Sequence, residues 1–181
     1  MERKIIAFCG AQGGGKDFNA RRLVMTRGFR KVAFADALRK VAFEVINLPF
    51  EEGMKKYDEL KRTNLMPNLT FRNILENLGS GIRYYDKDFW VKATIKDIEK
   101  DTQDVCISDL RYYNEYKGIK EYCKKKGYKF TLIFCDYKGN DYKWDNEHES
   151  ARLATYLKRL GYSDMQTVAE IDMESYSVLE K

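Results

Sequence analysis

The sequence lacks several features that define common classes of protein. It has one histidine and four cysteines, and no two cysteines form a Cys-x-x-Cys pair, so a zinc cluster built from these residues is not expected. No apolar run approaches the roughly 20 residues that span a bilayer. The segment before Gly10 is too short for a signal peptide. We therefore predict a soluble, cytoplasmic protein whose cysteines are buried free thiols.

The sequence also lacks a concentrated block of charge. Its 33 basic and 28 acidic residues are interspersed, and the formal net charge is +5. A surplus of this size suits a basic cleft for nucleotides, and without a basic block a nucleic-acid partner is not expected. The length of 181 residues and the hydrophobic fraction of 44% predict one folded domain.

Short apolar runs alternate with amphipathic stretches along the chain. The runs predict strands at residues 5–9, 31–34, 105–107, 130–134 and 168–171. The stretches predict helices at residues 17–26, 36–47, 51–61, 71–78, 88–98, 112–126 and 149–160, with a short final helix. Such alternation is typical of an α/β fold in which helices cover both faces of a parallel sheet.

A glycine-rich segment follows the first predicted strand. Residues 10–16 read Gly-Ala-Gln-Gly-Gly-Gly-Lys and fit the pattern G-x-x-x-x-G-K, with a predicted helix beginning at the lysine. Glycines let the backbone amides approach a phosphate chain, and the helix N-terminus adds partial positive charge. We therefore predict a binding site for the phosphates of ATP, in which Lys16 reaches the β- and γ-phosphates. Its residues are Gly10, Gly13, Gly14, Gly15, Lys16 and Asp17.

Asp17 stands where this pattern usually has serine or threonine, whose hydroxyl ligates Mg²⁺. A carboxylate is also a hard oxygen ligand, so Asp17 is a candidate to bind Mg²⁺ directly or through water. Alternatively, its negative charge stabilises the start of the helix. The sequence leaves both interpretations open.

Several segments, in a consistent order, resemble the bacteriophage deoxynucleoside monophosphate kinase family. The loop ends Gly-Lys-Asp, as that family's loop commonly does, and the Phe-Ala-Asp-Ala-Leu-Arg of residues 34–39 is similar to its element after the second strand. Residues 70–79 are similar to its Thr-x-Arg-x-x-Leu-Gln-x-Leu-Gly helix, and residues 108–115 to its Asp-x-Arg-x-x-x-Glu signature. Phe18 and the region after residue 135, where the usual lid arginine is missing, depart from the family's pattern.

This resemblance implies a three-layer P-loop NTPase fold of the nucleoside monophosphate kinase type, in a single domain over residues 1–181. Helices within residues 48–100 would bind the acceptor nucleotide, and residues 136–160 would form a lid. The implied activity is transfer of the γ-phosphoryl group of ATP to a dNMP, giving dNDP and ADP, with Mg²⁺ as cofactor. The expected partners are these small-molecule nucleotides, with a homodimer left open and no membrane partner.

Such a reaction needs further cations, because the acceptor also carries a phosphate. Arg72, Arg83 and Arg111 are candidates, since a guanidinium binds phosphate oxygens bidentately. The predicted catalytic residues are Lys16, Asp17, Asp109 and Arg111, of which Asp17 and Asp109 are candidate Mg²⁺ ligands. The predicted acceptor site comprises Asp36, Arg39, Arg72, Arg83, Trp90, Arg111 and Glu115, and the predicted lid residues are His148 and Arg152.

Each candidate has a structural alternative. Arg72 and Arg111 precede a glutamate by four residues, so each could form an ion pair with it. Asp36 could cap a helix, Asp109 could start a loop, and Trp90 could belong to the core. The alternatives at the level of function are another small-molecule P-loop kinase, such as a dephospho-coenzyme A kinase, and a nucleotide-binding regulator that has lost catalysis.

Overall fold

The computed structural model describes residues 2–67, 69–137 and 151–168. The strands in these ranges are β1 (Lys4–Cys9), β2 (Arg30–Val32), β3 (Asn64–Met66), β4 (Leu69–Thr70), β5 (Val105–Ile107), β6 (Lys129–Asp136) and β7 (Asp164–Val168). The helices are α1 (Lys16–Arg27), α2 (Phe34–Val45), α3 (Phe50–Lys55), α4 (Tyr57–Leu60), α5 (Phe71–Tyr85), α6 (Phe89–Ile98), α7 (Tyr113–Lys126) and α8 (Arg152–Arg159). None of these eight helices combines the length and the apolar character that crossing a bilayer requires.

Five strands form a central sheet in the order β2-β5-β1-β6-β7. The first four are parallel, and β7 runs antiparallel to β6. The central strand β1 pairs with β5 on one side and with β6 on the other. The carboxyl ends of the four parallel strands therefore meet at one edge of the sheet, where ligands bind in open α/β folds.

Helices cover both faces of this sheet because its strands are apolar on both sides. On one face, Ile5 and Ala7 pack with residues of α6, α7 and α8. On the other face, Phe8 packs with Ala20 of α1 and with Cys135. Burial on both faces is typical of parallel sheets. The predicted α/β class is confirmed, and the arrangement is compatible with three layers.

A separate apolar cluster joins α2 and α5 outside the sheet. The rings of Phe43 and Phe71 stack with their centroids 5.1 Å apart. Gly53 of α3 packs so closely against Phe43 that a Cβ at this glycine would lie 2.7 Å from the ring. This cluster fixes α5, which carries two of the predicted arginines, beside α2.

Several elements differ from the sequence prediction. The helix predicted at 71–78 continues to Tyr85, and Phe34, predicted in a strand, begins α2. No strand is predicted between the helices at 51–61 and 71–78, but β3 pairs with β4 there in a short antiparallel hairpin. The predicted helix at 51–61 is two helices, α3 and α4, that meet at Lys56. The strand predicted at residues 168–171 lies outside the described residues except for Val168, which ends β7 (Asp164–Val168), and β7 is antiparallel to β6. Lys158 of α8 pairs with Asp136 at the carboxyl end of β6, and β7 begins opposite the same residue.

Candidate active site

The glycine-rich loop between β1 and α1 packs directly against the carboxyl end of β6. Gly10, Gly13 and Gly15 have φ angles of 148°, 79° and 88°, conformations that side chains disfavour. A Cβ at Gly10 would lie 2.0 Å from the carbonyl oxygen of Cys135, and a Cβ at Gly14 would lie 2.6 Å from the same oxygen. Glycine is therefore required here by backbone conformation at some positions and by close approach at others.

Lys16 is the first residue of α1, and its side chain folds back over the loop. Its Nζ donates to the carbonyl oxygen of Gly10 at 2.7 Å and to that of Ala11 at 2.6 Å. Burial lowers the pKa of Lys16, and the positive charge of Arg111 lowers it further. The ammonium group thus lies in a partly desolvated loop beside a second cation, an environment that a bound anion would relieve.

Asp17, the next residue, forms an ion pair with Lys31 of β2. Its Oδ1 accepts from Nζ of Lys31 at 2.7 Å. Burial raises the pKa of Asp17, but the hydrogen bond and the charge of Lys31 outweigh this and hold the pKa below its ordinary value. The side chain is 69% exposed, so an ion bound at the loop could reach it.

Asp109 and Asp36 hold the start of α2 at the same edge of the sheet. The two carboxylate oxygens of Asp109 accept from the backbone N–H of Phe34 at 2.8 Å and of Ala35 at 3.1 Å. Asp36 accepts from the N–H of Ala33 at 3.0 Å, which confirms the capping interpretation for this residue. Because both oxygens of Asp109 bind the helix, this geometry favours anchoring of α2 over the predicted metal-binding role.

Arg39 follows Asp36 by one turn of α2. Its Nη1 donates to Oδ1 of Asp36 at 2.7 Å, and its guanidinium lies 4.7 Å from the centroid of the Tyr57 ring. Burial raises the pKa of Asp36, and the charge of Asp109 adds to this while that of Arg39 opposes it. Within the part of the chain that the structure describes, the buried Nε of Arg39 has no hydrogen-bond partner. Arg39 is therefore a positioned cation with one unused donor.

Arg83, near the end of α5, meets the start of α7. Its Nη2 donates to Oε1 of Glu115 at 3.3 Å, and its guanidinium lies 4.2 Å from the centroid of the Tyr112 ring. The other oxygen of Glu115 accepts from the backbone N–H of Arg111 at 2.8 Å and of Tyr112 at 3.1 Å. Glu115 is 2% exposed, and burial raises its pKa to about 7. Both of its carboxylate oxygens are taken up by contacts within the protein, which argues against the predicted direct contact with the acceptor.

Arg72 and Arg111 have the same spacing to a glutamate but different surroundings. Nε of Arg72 donates to Oε1 of Glu76 at 2.8 Å on the exposed surface of α5, so the ion-pair alternative is confirmed for Arg72. Arg111 is exposed, and its guanidinium makes no hydrogen bond within residues 2–67, 69–137 and 151–168. Arg111 is therefore the predicted arginine that remains available near Lys16.

Trp90 belongs to the core, which corrects its assignment to the acceptor site. It is 2% exposed, and its ring N–H donates to the carbonyl oxygen of Gly79 at 3.2 Å. A buried ring in this position has no face open to a nucleobase. Trp90 instead fixes α6 against α5, and so supports the end of α5 that carries Arg83.

The predicted lid, residues 136–160, lies only partly outside the described residues, because it includes α8, whose Leu153 and Leu157 are buried in the core with Ile5 and Ala7. His148 lies outside the described residues, as do all residues from 138 to 150. Arg152, the other predicted lid residue, is exposed and opens α8. The role of both as lid residues stays a prediction.

Three side chains that organise the site were missed from the sequence. Lys31 pairs with Asp17, Tyr57 lies under Arg39, and Tyr112 lies under Arg83. Lys31 and Tyr57 belong to no recognisable motif, and their contacts are made across the fold. Of the three, only Tyr112 could have been identified from the sequence, because it directly follows the candidate residue Arg111.

The described part of the chain contains no group of three or more His, Cys, Asp or Glu side chains that could hold a metal ion. A kinase magnesium site commonly uses one or two carboxylates together with substrate phosphates, so such a group is not required. In comparisons with known proteins, no family model and no curated protein matches this chain. A functional proposal therefore rests on the site itself and on the resemblance of its motifs.

Proposed function

We propose that this protein is a P-loop kinase that transfers the γ-phosphoryl group of ATP to a deoxynucleoside monophosphate. The observation that carries the proposal is the loop before α1, where glycines at positive φ surround an ammonium group that folds back onto two loop carbonyls. A loop of this shape offers backbone N–H groups, a helix N-terminus and a cation to one chain of phosphates.

The order of the strands supports the finer fold assignment, a P-loop NTPase of the nucleoside monophosphate kinase type. The loop follows the central strand β1 and leads directly into α1, which is the strand–loop–helix unit of that fold. β5 and β6 flank β1, so residues at their carboxyl ends lie on either side of the loop. Arg111 and Asp109 follow β5 and are therefore near the phosphates that the loop would bind.

In the proposed reaction, the donor side is held by the loop and Lys16. Lys16 would exchange its two carbonyl contacts for oxygens of the β- and γ-phosphates, where its charge opposes the charge that develops on the leaving ADP. Arg111 lies close enough to lower the pKa of Lys16, so it is suited to the phosphoryl group in transit. The planar fork of its guanidinium can contact two oxygens at once.

The acceptor side is assigned to the arginines along the neighbouring helices. Arg83 is held on its face by Tyr112 and on its edge by Glu115, and Arg39 is held by Asp36 and Tyr57. Cations fixed in this way lose little side-chain entropy when they bind a phosphate, which favours positioning of the two nucleotides in line. Arg72 is a weaker candidate because it is exposed and paired with Glu76.

Asp17 fits the requirement for a carboxylate ligand of Mg²⁺ better than Asp109 does. It is mostly exposed, and its lowered pKa keeps it ionised at neutral pH. Both carboxylate oxygens of Asp109 accept hydrogen bonds from backbone N–H groups at the start of α2. Mg²⁺, when bound, would supply positive charge that offsets the charge on the phosphates during transfer. Lys31 would keep Asp17 in place and offset part of its negative charge.

The ion pair of Asp17 also favours one alternative function. If Lys31 occupies Asp17 permanently, the loop would bind ATP without a protein ligand for the metal, as expected of a nucleotide-binding regulator that has lost catalysis. The other alternative, a P-loop kinase for a different small molecule such as dephospho-coenzyme A, has the same donor site and differs only in the acceptor.

Incubation with Mg-ATP and each of the common dNMPs and NMPs, followed by separation of the products, tests the proposal. We expect ADP and one or more diphosphate products. ATP binding without transfer to any nucleotide would favour the regulator, and transfer to dephospho-coenzyme A alone would refute the nucleotide assignment.

Lys16→Ala provides the matched loss-of-function variant. We expect turnover to fall by about two orders of magnitude or more, as for removal of a main charge-stabilising group. Lys125→Ala, which removes an exposed lysine from the last turn of α7, is the control and should retain wild-type turnover. Full activity in Lys16→Ala would overturn the assignment of the loop.

A further inference from the structure

Glu115 joins two of the proposed phosphate-binding arginines from the buried side. One of its carboxylate oxygens accepts from the backbone N–H groups of Arg111 and Tyr112, which lead into α7. The other accepts from the guanidinium of Arg83, on α5. The Glu115 side chain therefore fixes both the segment that leads into α7 and the guanidinium of Arg83 on α5.

A glutamate at the third position of a helix often reaches back to the N–H groups before the helix, so a capping role alone is the simpler explanation. Two features go beyond capping. A cap of this kind is ordinarily exposed, whereas Glu115 is 2% exposed. Its second oxygen also binds Arg83, 32 residues earlier in the chain, whose guanidinium is stacked on the Tyr112 ring.

Burial of a carboxylate is costly unless it is paired, so the contact with Arg83 satisfies the glutamate as well as the arginine. The guanidinium of Arg83 has Tyr112 on one face and Glu115 on one edge, which limits the directions in which its remaining N–H groups can point. Arg111 belongs to the segment that Glu115 anchors, and its guanidinium is exposed.

We infer that Glu115 is a positioning residue that holds Arg83 and the Arg111 segment together as one phosphate-binding unit for the acceptor nucleotide. The inference rests on the proposed function, because it takes the acceptor phosphate as the ligand of these arginines. It assigns to Glu115 no contact with the nucleotide. Its effect on binding passes through Arg83.

Substitution by glutamine separates the two contacts of Glu115. In Glu115→Gln the side-chain oxygen can still accept from the N–H groups of Arg111 and Tyr112. Its amide group would then face Arg83 with donors, and Arg83 would lose its carboxylate partner. Glu99→Gln is the matched control, since it removes a carboxylate that pairs with Lys126 at 3.2 Å on the partly exposed surface.

The experiment is a double-mutant cycle with Glu115→Gln, Arg83→Gln and the double variant. Calorimetric titration measures the dissociation constants of each of the four dNMPs, of inorganic phosphate and of ATP. We expect each single variant to weaken dNMP binding about tenfold, the loss typical of one charge-assisted hydrogen bond. The double variant should be no weaker than Arg83→Gln alone, and ATP binding should stay within about twofold, as should every constant in Glu99→Gln.

Several outcomes would overturn the inference. These are additive losses in the double variant, unchanged dNMP binding in Glu115→Gln, and an equal loss of ATP and dNMP binding, which would indicate a general structural role. Failure of the proposed function can be told apart from failure of this inference. If the wild-type protein binds dNMPs but transfers no phosphate, and the losses in the variants are still non-additive, the inference stands and the kinase assignment is refuted. A wild-type protein that binds neither dNMP nor inorganic phosphate refutes both.

Discussion

Alanine substitutions in the glycine-rich loop test how tightly that loop packs against β6. Gly10 combines a φ of 148° with a close approach, because a Cβ there would lie 2.0 Å from the carbonyl oxygen of Cys135. Gly14 has the close approach without a positive φ, at 2.6 Å from the same oxygen. Gly127, at the end of α7, has a φ of 69°, and a Cβ there would meet no atom within 4 Å. The three positions therefore separate conformational strain from steric overlap.

The magnitudes follow from the two costs. An L-residue in a left-handed conformation loses about 1–2 kcal/mol, which is the expected destabilisation for Gly127→Ala. Inserting a methyl group into close-packed structure costs about 1–3 kcal/mol, which is the expectation for Gly14→Ala. Gly10→Ala carries both costs and should lose about 2–5 kcal/mol, a large part of the stability of an ordinary domain.

Urea denaturation followed by circular dichroism measures these free energies of unfolding. Both loop variants should also lose ATP binding, because the backbone must move away from β6 to admit the methyl group, whereas Gly127→Ala should bind ATP normally. If Gly10→Ala destabilises the protein no more than Gly127→Ala does, the close contact between the loop and Cys135 is not a feature of the protein in solution.

Three further predictions use the same measurement of unfolding. Gly118→Ala should destabilise the protein by about 1–3 kcal/mol, because its Cβ would lie 2.5 Å from Cγ1 of Val91. Gly81→Ala, whose Cβ would lie in open space, should stabilise the protein by about 0.5–1 kcal/mol. Equal effects of the two substitutions would contradict the close packing of α6 and α7. Thr70→Ala should cost about 1 kcal/mol, because the Thr70 hydroxyl caps α5, and no loss would mean that the cap is replaced by water. The pKa of Glu115 is raised to about 7 from an ordinary value of 4.5, so the protonated form of this side chain favours folding. Relative to Glu115→Gln, the free energy of unfolding of the wild type should therefore fall as the pH rises from 4.5 to about 7 and then stay constant. A difference that does not change with pH would refute the burial of an ionisable group there.

Most elements of the central sheet could be predicted because their sequence signals are local. Val105–Ile107 is a continuous apolar run and forms β5 over those three residues. Gly28 and Gly127 both end helices in the left-handed conformation, as glycines after a helix commonly do. These signals depend on neighbouring residues alone, so the sequence contains all that is needed to read them.

The elements that could not be predicted depend on distant partners. The hairpin of β3 and β4 has strands of three and two residues, too short to show an alternating pattern. β7 pairs antiparallel with β6 and begins opposite Asp136, which also forms an ion pair with Lys158 of α8. Neither contact is encoded in a local pattern.

The two Arg–Glu pairs show the same limit within the candidate site. Arg72 and Glu76 both lie inside α5, where side chains four residues apart are neighbours, and they form the ion pair that the spacing predicts. Arg111 lies before α7 begins, so the helical geometry does not apply to it, and Glu115 turns to the backbone N–H groups instead. Spacing predicted the contact only where the helix boundary was known, and helix boundaries are the least certain part of a prediction from sequence.

The partners of the acidic residues explain why this edge of the sheet remains suited to an anion. Asp17 and Asp109 are the carboxylates closest in sequence to Lys16 and Arg111, and either could have neutralised these cations. Asp17 is bound by Lys31, however, and Asp109 by the N-terminus of α2. Burial lowers the pKa of Lys16, and repulsion by Arg111 lowers it further, while the charge of Asp17 only partly opposes this. A phosphate chain bound at the loop would remove this repulsion. Relief of a repulsion that is already present in the folded protein would therefore contribute to the binding free energy of the phosphate chain.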